Sequence, residues 1–405
     1  MRRALPYLAA GVVSAGLAAV IFVRTRRYLR LGRNRGPGAV RLPPRPLSEA
    51  AIAPLTPAEL QRRLAQHAPP PLLPRTFASV DTNPKASGRA SHRFTAMQFN
   101  ILAEGLSAPP GAPVPFPDPA NKASECGGFD EVEPKERVFD WSLRRLRLLE
   151  EITRWSADVV ALEECDHYAD WFEPALRAAG YDSVYLPKVD APGLNFGFYS
   201  CGTALFWKRD VFVADAVHSR YVDGGQRPFV MATLGLRSAE GVRVTVAATH
   251  LKAKAGAKNE ERRVHDVREI LGALEAEAAA SRAPCHVLLM GDFNTNPYDE
   301  PGKHEAAAVP AVLAHPLQLR SAYPLPQSEG GQGWTTWKRR AGKEARNTID
   351  YIFHSAGLAP TRLLAAPDKA ELEPARLPGL RYPSDHLAIM AELQCAAPSD
   401  GVGRV

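Results

Sequence analysis

From residue 93 onward, short apolar runs recur along the chain, and most end in a carboxylate, an amide or an imidazole. FTAMQFNIL (94–102) alternates apolar and polar positions and carries Asn100 near its end. DVVALEE (158–164) closes on two carboxylates, VRVTVAATHLK reaches His250, and HVLLMGDFNTNP delivers Asp292 and Asn294. NTIDYIFHS and SDHLAIMAEL add Asp350, Asp385 and His386. Runs of this length and alternation predict β-strands, as do SVYLPK, CGTALFWK and FVMATLGL. Helical spacing instead marks DWSLRRLRLLEEITRW (140–155) with Asp140 as N-cap, YADWFEPALRAAG (168–180) with a glycine stop, and an alanine-rich stretch at about 260–281. Strands dominate, without the strict βαβα rhythm of a doubly wound parallel sheet. The pattern therefore predicts an α/β sandwich of two sheets.

The first 92 residues follow other rules. LPYLAAGVVSAGLAAVIFV (5–23) holds no charge in 19 residues and as a helix would rise roughly 28 Å, close to the hydrocarbon thickness of a bilayer. Arg2 and Arg3 precede it, and Arg24, Arg26, Arg27, Arg30, Arg33 and Arg35 follow. The larger cluster on the C-terminal side predicts a membrane anchor with the body facing the cytosol, at the mitochondrial outer or endoplasmic reticulum membrane. The same arginine-rich, acid-free stretch also reads as a mitochondrial presequence, cleaved to leave a matrix protein, or as a core helix. Residues 1–35 are thus an anchor or targeting segment, 36–92 a proline-rich spacer with PPRP and PPPLLP, 93–395 the domain and 396–405 a tail. One short helix is expected inside the spacer, with Thr56 as N-cap, Pro57 at N1 and Glu59 at N3. Residues 107–134, rich in proline and glycine, read as a long surface loop within the domain.

Charge changes the picture once its distribution is seen. The chain of 405 residues carries a net +6, but ten arginines lie in residues 1–48, which hold no acidic residue, so the remainder carries −4. The body lacks the broad positive field of a non-specific nucleic-acid binder. Five scattered cysteines (126, 165, 201, 285 and 395) show no CxxC spacing, which argues for a reducing compartment and against structural zinc.

In a strand Asp292 and Asn294 share a face, Gly291 permits a close backbone approach, and Pro297 ends the run. A carboxylate beside an amide suits water activation or a magnesium shell, or an Asx turn at a strand end. Eight such polar residues end or flank six apolar runs: Asn100, Glu164, His250, Asp292, Asn294, Asp350, Asp385 and His386. Carboxylates and amides without thiolates point to a hard cation, and the histidines to acid–base or charge-stabilising work.

MQFNILAEGL, ALEECDHY, THLKAK, GDFNTNP, TIDYIF and YPSDH occur in that order, and over about 93–395 the chain resembles the endonuclease/exonuclease/phosphatase superfamily. LEECDHYADWFEPAL, GYDSVYLPK, TTWKRRAGKEARNTIDYI and RLPGLRYPSDHL make it most similar to the nocturnin-like branch, beside the mRNA deadenylases. The resemblance implies a DNase I-like, four-layer αββα sandwich, two mixed sheets flanked by helices, working as a monomer. It implies Mg²⁺ as cofactor, with Mn²⁺ able to substitute, held chiefly by Glu164, with Asn100, Asp385, Asp292 and Asn294 nearby. Asp292 would activate the attacking water and Asn294 orient it. His386, held by Asp350, would stabilise charge on the phosphate, and His250 would contact a phosphate oxygen. Lys188, Lys252, Lys254 and Arg340 would hold the substrate's phosphates. The substrate implied is NADP(H), which loses its 2′-phosphate to give NAD(H). The alternatives are a 3′–5′ exoribonuclease acting on poly(A) RNA, with Trp334 and Trp337 as stacking platforms, a membrane-tethered phospholipid phosphoesterase, and an inactive scaffold.

Two local expectations follow from strand geometry. The family's usual Gln-Glu is here Glu163-Glu164, and strand neighbours face opposite ways, so Glu163 is expected to point off the metal. Lys252 and Lys254, spaced i, i+2 beyond His250, would share one side of a continuing strand.

Overall fold

Alternating segments become strands wherever one or both faces can be covered. In the computed structural model, residues 40–45, 55–80 and 91–396 are described, the last apart from 124–125, 130, 223–226, 282–284, 301 and 329–332. The strands are β1 Phe77–Ser79, β2 Ser91–Asn100, β3 Val159–Cys165, β4 Tyr181–Pro187, β5 Gly202–Lys208, β6 Phe212–Val222, β7 Arg227–Leu236 and β8 Arg243–His250. They continue with β9 Cys285–Asp292, β10 Arg320–Ser321, β11 Thr336–Arg340, β12 Lys343–Asn347, β13 Asp350–His354, β14 Leu358–Leu364 and β15 Ile389–Ala396. One sheet has the order β1-β14-β15-β2-β3-β5-β4, the other β10-β13-β9-β8-β7-β6, and β11-β12 is a separate hairpin. Each large sheet contains one parallel pair, β2 with β3 and β8 with β9, so both are mixed.

The main helices are α1 Pro57–His67, α2 Trp141–Trp155 and α3 Ala257–Ala280. Asp140 caps α2, accepting from Ser142 N, and Thr56 caps α1, accepting from Glu59 N. Both match the sequence reading. Leu60 and Leu64 of α1 and Leu143, Leu146 and Leu149 of α2 pack on Met97, Phe99, Val160 and Leu162, the outer face of the first sheet. Val267, Ile270, Leu271 and Leu274 of α3 cover Met231, Ala247, Val287 and Leu289 of the second. Between the sheets Phe94, Ala96, Val159 and Ala161 meet Val230, Ala232, Val246, Ala248, Leu288 and Met290. The result is the expected αββα sandwich, with apolar area on every internal face driving the assembly.

Residues 55–80 correct the spacer reading. Besides the buried leucines of α1, Arg75 donates from Nη1 to Ala388 O (2.6 Å) and from Nε to Ala365 O (2.9 Å), and β1 extends the first sheet by pairing with β14. Proline-rich flanks do not prevent a short amphipathic helix and an edge strand from finding cover. Residues 40–45 also dock, with Ser200 N donating to Arg41 O (2.7 Å) and Arg41 N to Ser200 Oγ (3.0 Å). Residues 5–23 lie outside the described residues. Among the described residues no helix is long and apolar enough to cross a membrane.

The sheet registers create the site. β8 and β9 pair in parallel with His250 opposite Asp292, and β13 pairs antiparallel to β9 with Asp350 opposite Asp292. Three chemically active residues therefore stand side by side at one end of the sheet's central strands. Gly291 has φ 153°, and a Cβ there would come within 2.0 Å of Thr249 O, so only glycine lets β9 lie this close to β8 just before Asp292.

Candidate active site

Asp292 is buried at the centre, and its contacts come from both sheets. Asn100 Nδ2 donates to Asp292 Oδ2 (2.9 Å), and Asn294 N donates to Asp292 Oδ1 (2.8 Å). His250 Nε2 lies 3.5 Å and His386 Nε2 4.0 Å from Asp292 Oδ2. Burial, then repulsion from Asp350, pushes the Asp292 carboxyl up to about 7. A carboxylate poised there suits proton acceptance near neutral pH.

His386 is a cation by design of its surroundings. Its Nδ1–H donates to Asp350 Oδ2 (2.9 Å), and the same oxygen accepts from Thr335 Oγ1 (2.6 Å). Burial alone would lower its pKa, but Asp350, Asp385 and Asp292 together outweigh it and raise it to about 9. His250 behaves oppositely: burial, then Lys188, His386 and Lys338, hold it well below the ordinary range. Lys188 Nζ donates to His250 Nδ1 (3.1 Å), so the neutral ring keeps its own proton on Nε2, toward Asp292. The two histidines thus divide into a charged and a neutral donor.

Beneath this centre Gln98 Nε2 donates to Glu163 Oε2 (2.8 Å) and Asp350 Oδ1 (2.9 Å), tying the sheets together. Glu163 stands in step with Val159 and Ala161 on β3. It lies between the sheets under the site, where burial and then Asp350 push its carboxyl well up. Alternation breaks only at the next residue, because the pairing of β3 with β5 shifts register between Leu162 and Cys165, and Glu164 takes φ 56°. That bulge turns Glu164 toward the loop after β2, where Oε2 accepts from Ala103 N (3.1 Å).

Asp385 is buried, and its Oδ2 accepts from Lys338 Nζ (2.5 Å). Burial opposes its charge, but Lys338, His386 and Arg340 outweigh it and hold the carboxyl well below its usual range. Lys338 Nζ also lies 3.3 Å from His386 Nε2. Sequence reading missed Lys338, which stands on β11, two positions before Arg340 on the same strand face. It missed Gln98 as well, although QFN places Gln98 and Asn100 on one face of β2. Thr335 and Ser384 gave no signal of their own. Ser384 Oγ donates to Asn100 O (2.7 Å) and accepts from His386 N (3.2 Å).

The rim is built from loops. β8 ends at His250, so Lys252 and Lys254 do not continue a strand, and Lys254 has φ 75°. Their loop is held from behind by buried Arg263, whose Nη1 donates to Lys252 O (2.7 Å) and Lys254 O (3.0 Å) and whose Nε donates to Glu260 Oε2 (2.6 Å). Burial, then Arg262, Arg227, Lys254 and Lys188, lowers the Lys252 pKa, the mark of a crowded cationic patch. Arg340 Nε donates to Gly127 O (2.6 Å), and its guanidinium covers Phe129 at 4.8 Å. Asn294 Nδ2 donates to Leu251 O (3.1 Å), so this amide fastens the lysine loop to the catalytic strand. Trp334 and Trp337 are buried edge to face at 5.4 Å, and Arg376 covers Trp337 at 4.2 Å. Neither ring is free to stack on a base.

Ligand atoms of Asp292, Asp350 and His386 lie within 4.8 Å of one another; Asp385 Oδ2 lies 4.0 Å from His386 Nε2, and Glu164, at the loop after β2, stands outside that group. Carboxylates that crowd strongly enough to raise a carboxyl pKa, with no thiolate among them, fit a hard divalent cation.

Comparison with known proteins agrees with this geometry. Residues 97–386 match the model of the Endonuclease/Exonuclease/phosphatase family. The chain is 30% identical to nocturnin of Homo sapiens over 362 residues, covering 87% of this chain and 76% of that protein. It is 32% identical to nocturnin of Xenopus laevis over 352 residues, covering 84% and 82%. The human nocturnin catalytic domain, solved with a bound sulfate anion, superposes with a TM-score of 0.56 at 26% identity over 79% of this chain and 96% of that one. The strand-end carboxylates, the paired histidines and the sandwich that holds them are those of a phosphoester hydrolase, and the chain belongs to the endonuclease/exonuclease/phosphatase family.

Proposed function

We propose that this protein is a Mg²⁺-dependent phosphatase, with Mn²⁺ able to substitute, that removes the 2′-phosphate of NADP(H). The reaction consumes one water and yields NAD(H) and orthophosphate. The observation that carries this reading is the compact ring of cations around Asp292. His386 and Lys338 lie 3.3 Å apart, Lys188 touches His250 at 3.1 Å, and Lys252, Lys254 and Arg340 stand at the rim. Asp385 and Asp350 already counter Lys338 and His386, and the further cations beyond them suit a molecule with two or three clustered phosphates.

Asp292 accepts a proton from the attacking water, with its orientation fixed by Asn100 and Asn294. His386, kept protonated by Asp350, and His250, through Nε2–H, donate to phosphate oxygens as negative charge builds. Glu164 and Asp385 are the carboxylates that would hold the divalent ion, whose chemistry is to neutralise phosphate charge. Poly(A) RNA would need a stacking track, and the buried Trp334 and Trp337 do not offer one. Residues 5–23 would tether the domain to a membrane facing the cytosol; alkaline extraction leaving the tagged full-length chain in the pellet is the expected outcome.

The decisive experiment offers NADPH and poly(A) to one preparation. Phosphate release from NADPH with poly(A) left intact is expected. Shortening of poly(A) without phosphate release would overturn the substrate while leaving the catalytic centre standing.

A further inference from the structure

Behind the catalytic centre stands a cation that none of this chemistry uses. Arg144 projects from α2 and is only 1% exposed. Its Nη1 donates to Leu102 O (2.6 Å) and Ile101 O (3.0 Å) and lies 3.5 Å from Pro383 O. Nε and Nη2 have no hydrogen-bond partner among the described residues. Asp166, Glu104, Asp385 and Glu164 are the carboxylates whose charge it feels, and it forms no ion pair with any of them among the described residues. A fully buried guanidinium that directs one nitrogen at main-chain carbonyls, with four carboxylates in electrostatic range, is placed for geometry rather than for charge pairing.

The carbonyls it holds are not ordinary. Leu102 has φ 56°, where an L side chain's Cβ crowds the backbone, and such strain persists only where neighbours over-determine it. Two groups do so. Arg144 fixes the Leu102 carbonyl, and Leu102 N donates to Asn100 Oδ1 (3.0 Å). That second bond orients the Asn100 amide, so its Nδ2 meets Asp292 Oδ2 at 2.9 Å. Pro383 precedes Ser384, which bonds both Asn100 O and His386 N. One guanidinium thus reaches the loops that carry Asn100 and His386.

We infer that Arg144 is a positioning residue: it locks Leu102 in the left-handed conformation, and through Leu102 and Asn100 it sets the register of Asp292. The chain of contacts runs from helix to carbonyl, from strained peptide to amide, and from amide to base. Loss of Arg144 lets Leu102 relax toward negative φ, which turns its N–H away from Asn100 and frees the amide from Asp292.

The test uses the full chain and whichever of NADPH or oligoadenylate the unaltered protein turns over, so it does not depend on which phosphate ester is the substrate. Arg144→Met should lower kcat by ~10²-fold with KM within about twofold, the usual cost of misplacing a reacting group by an ångström. Arg144→Lys, which keeps the charge and one donor, should fall between. Adding Leu102→Gly to Arg144→Met separates positioning from stability. Glycine adopts positive φ freely but loses the leucine's packing. The double variant should regain about fivefold or more in kcat while its Tm falls further. Mn²⁺ binding, read by electron paramagnetic resonance without substrate, should weaken by ~10-fold in Arg144→Met and recover in the double variant, because Asn100 is expected beside the ion. Activity and Mn²⁺ affinity that simply follow Tm across the series would overturn the inference, as would an Arg144→Met protein with unchanged kcat. If Arg144→Met does not fold, Arg144→Lys with and without Leu102→Gly carries the same comparison.

Discussion

The centre of the site and its rim are built by different means. Asp292, Asp350 and His250 sit at the ends of three hydrogen-bonded strands, so their relative positions are consequences of sheet register. Lys252, Lys254 and Arg340 sit on or beside loops, and a few contacts hold them: Arg263 behind the lysines, Gly127 O and Phe129 beside Arg340. A register shift of one residue would turn the central side chains to the other face, which the buried inter-sheet layer forbids. No such constraint acts on a loop. The chemistry of the site is therefore rigid, while its choice of phosphate ester lies in elements that substitution can alter without unfolding the sandwich.

That contrast can be broken first at the centre. Asp292→Ala or His386→Ala should lower kcat by ~10²–10³-fold with little change in KM, since each acts on charge that develops during reaction. Steady-state phosphate release measures it, and near-normal turnover in Asp292→Ala would remove the assignment. At the rim, Lys252→Ala combined with Arg340→Ala should raise KM about tenfold and leave kcat within about threefold, because these groups bind substrate and transition state alike. A loss confined to kcat would mean that the rim takes part in the chemistry.

Smaller effects sharpen the boundary. Arg263→Met frees the lysine loop without touching a lysine, and KM should rise about threefold with kcat held, in proportion to the lost preorganisation. An unchanged KM would show that the loop holds its shape unaided. The smallest effect concerns His167, clamped between Glu104 Oε2 (2.7 Å) and Asp170 Oδ2 (2.8 Å) beside the helix Glu104–Ser107. Burial opposes its charge, but Asp166 and these two carboxylates raise its pKa from 6.5 to about 10. A raised folded-state pKa stabilises the protein fully below about 6.5, and that stability is lost as pH rises toward 10. Tm should therefore fall across this window and fall less steeply in His167→Asn. Parallel slopes in a melting series would refute the clamp.

What the sequence determined by itself is the alternation of apolar runs and the polar residues that close them. Apolar burial on both faces of a strand leaves little freedom in where its end residues point, so Asn100, His250 and Asp292 at strand ends and Asp350 at a strand start were legible one strand at a time. The caps at Thr56 and Asp140 were legible because they are local. Tertiary structure decided the rest. The bulge at Glu164 depends on pairing with β5, so Glu164 left the outer face that alternation assigns it, while Glu163 kept step with Val159 and Ala161 beneath the site. Residues 55–80 joined the sandwich because Leu60 and Leu64 found cover on α2 and the first sheet and Arg75 found Ala388, 313 residues away, which composition cannot foretell. Lys338, Thr335 and Arg144 act through contacts between segments distant in the chain. Local physics writes the strands and their ends; only close packing of distant segments brings those ends within hydrogen-bonding distance and turns them into one site.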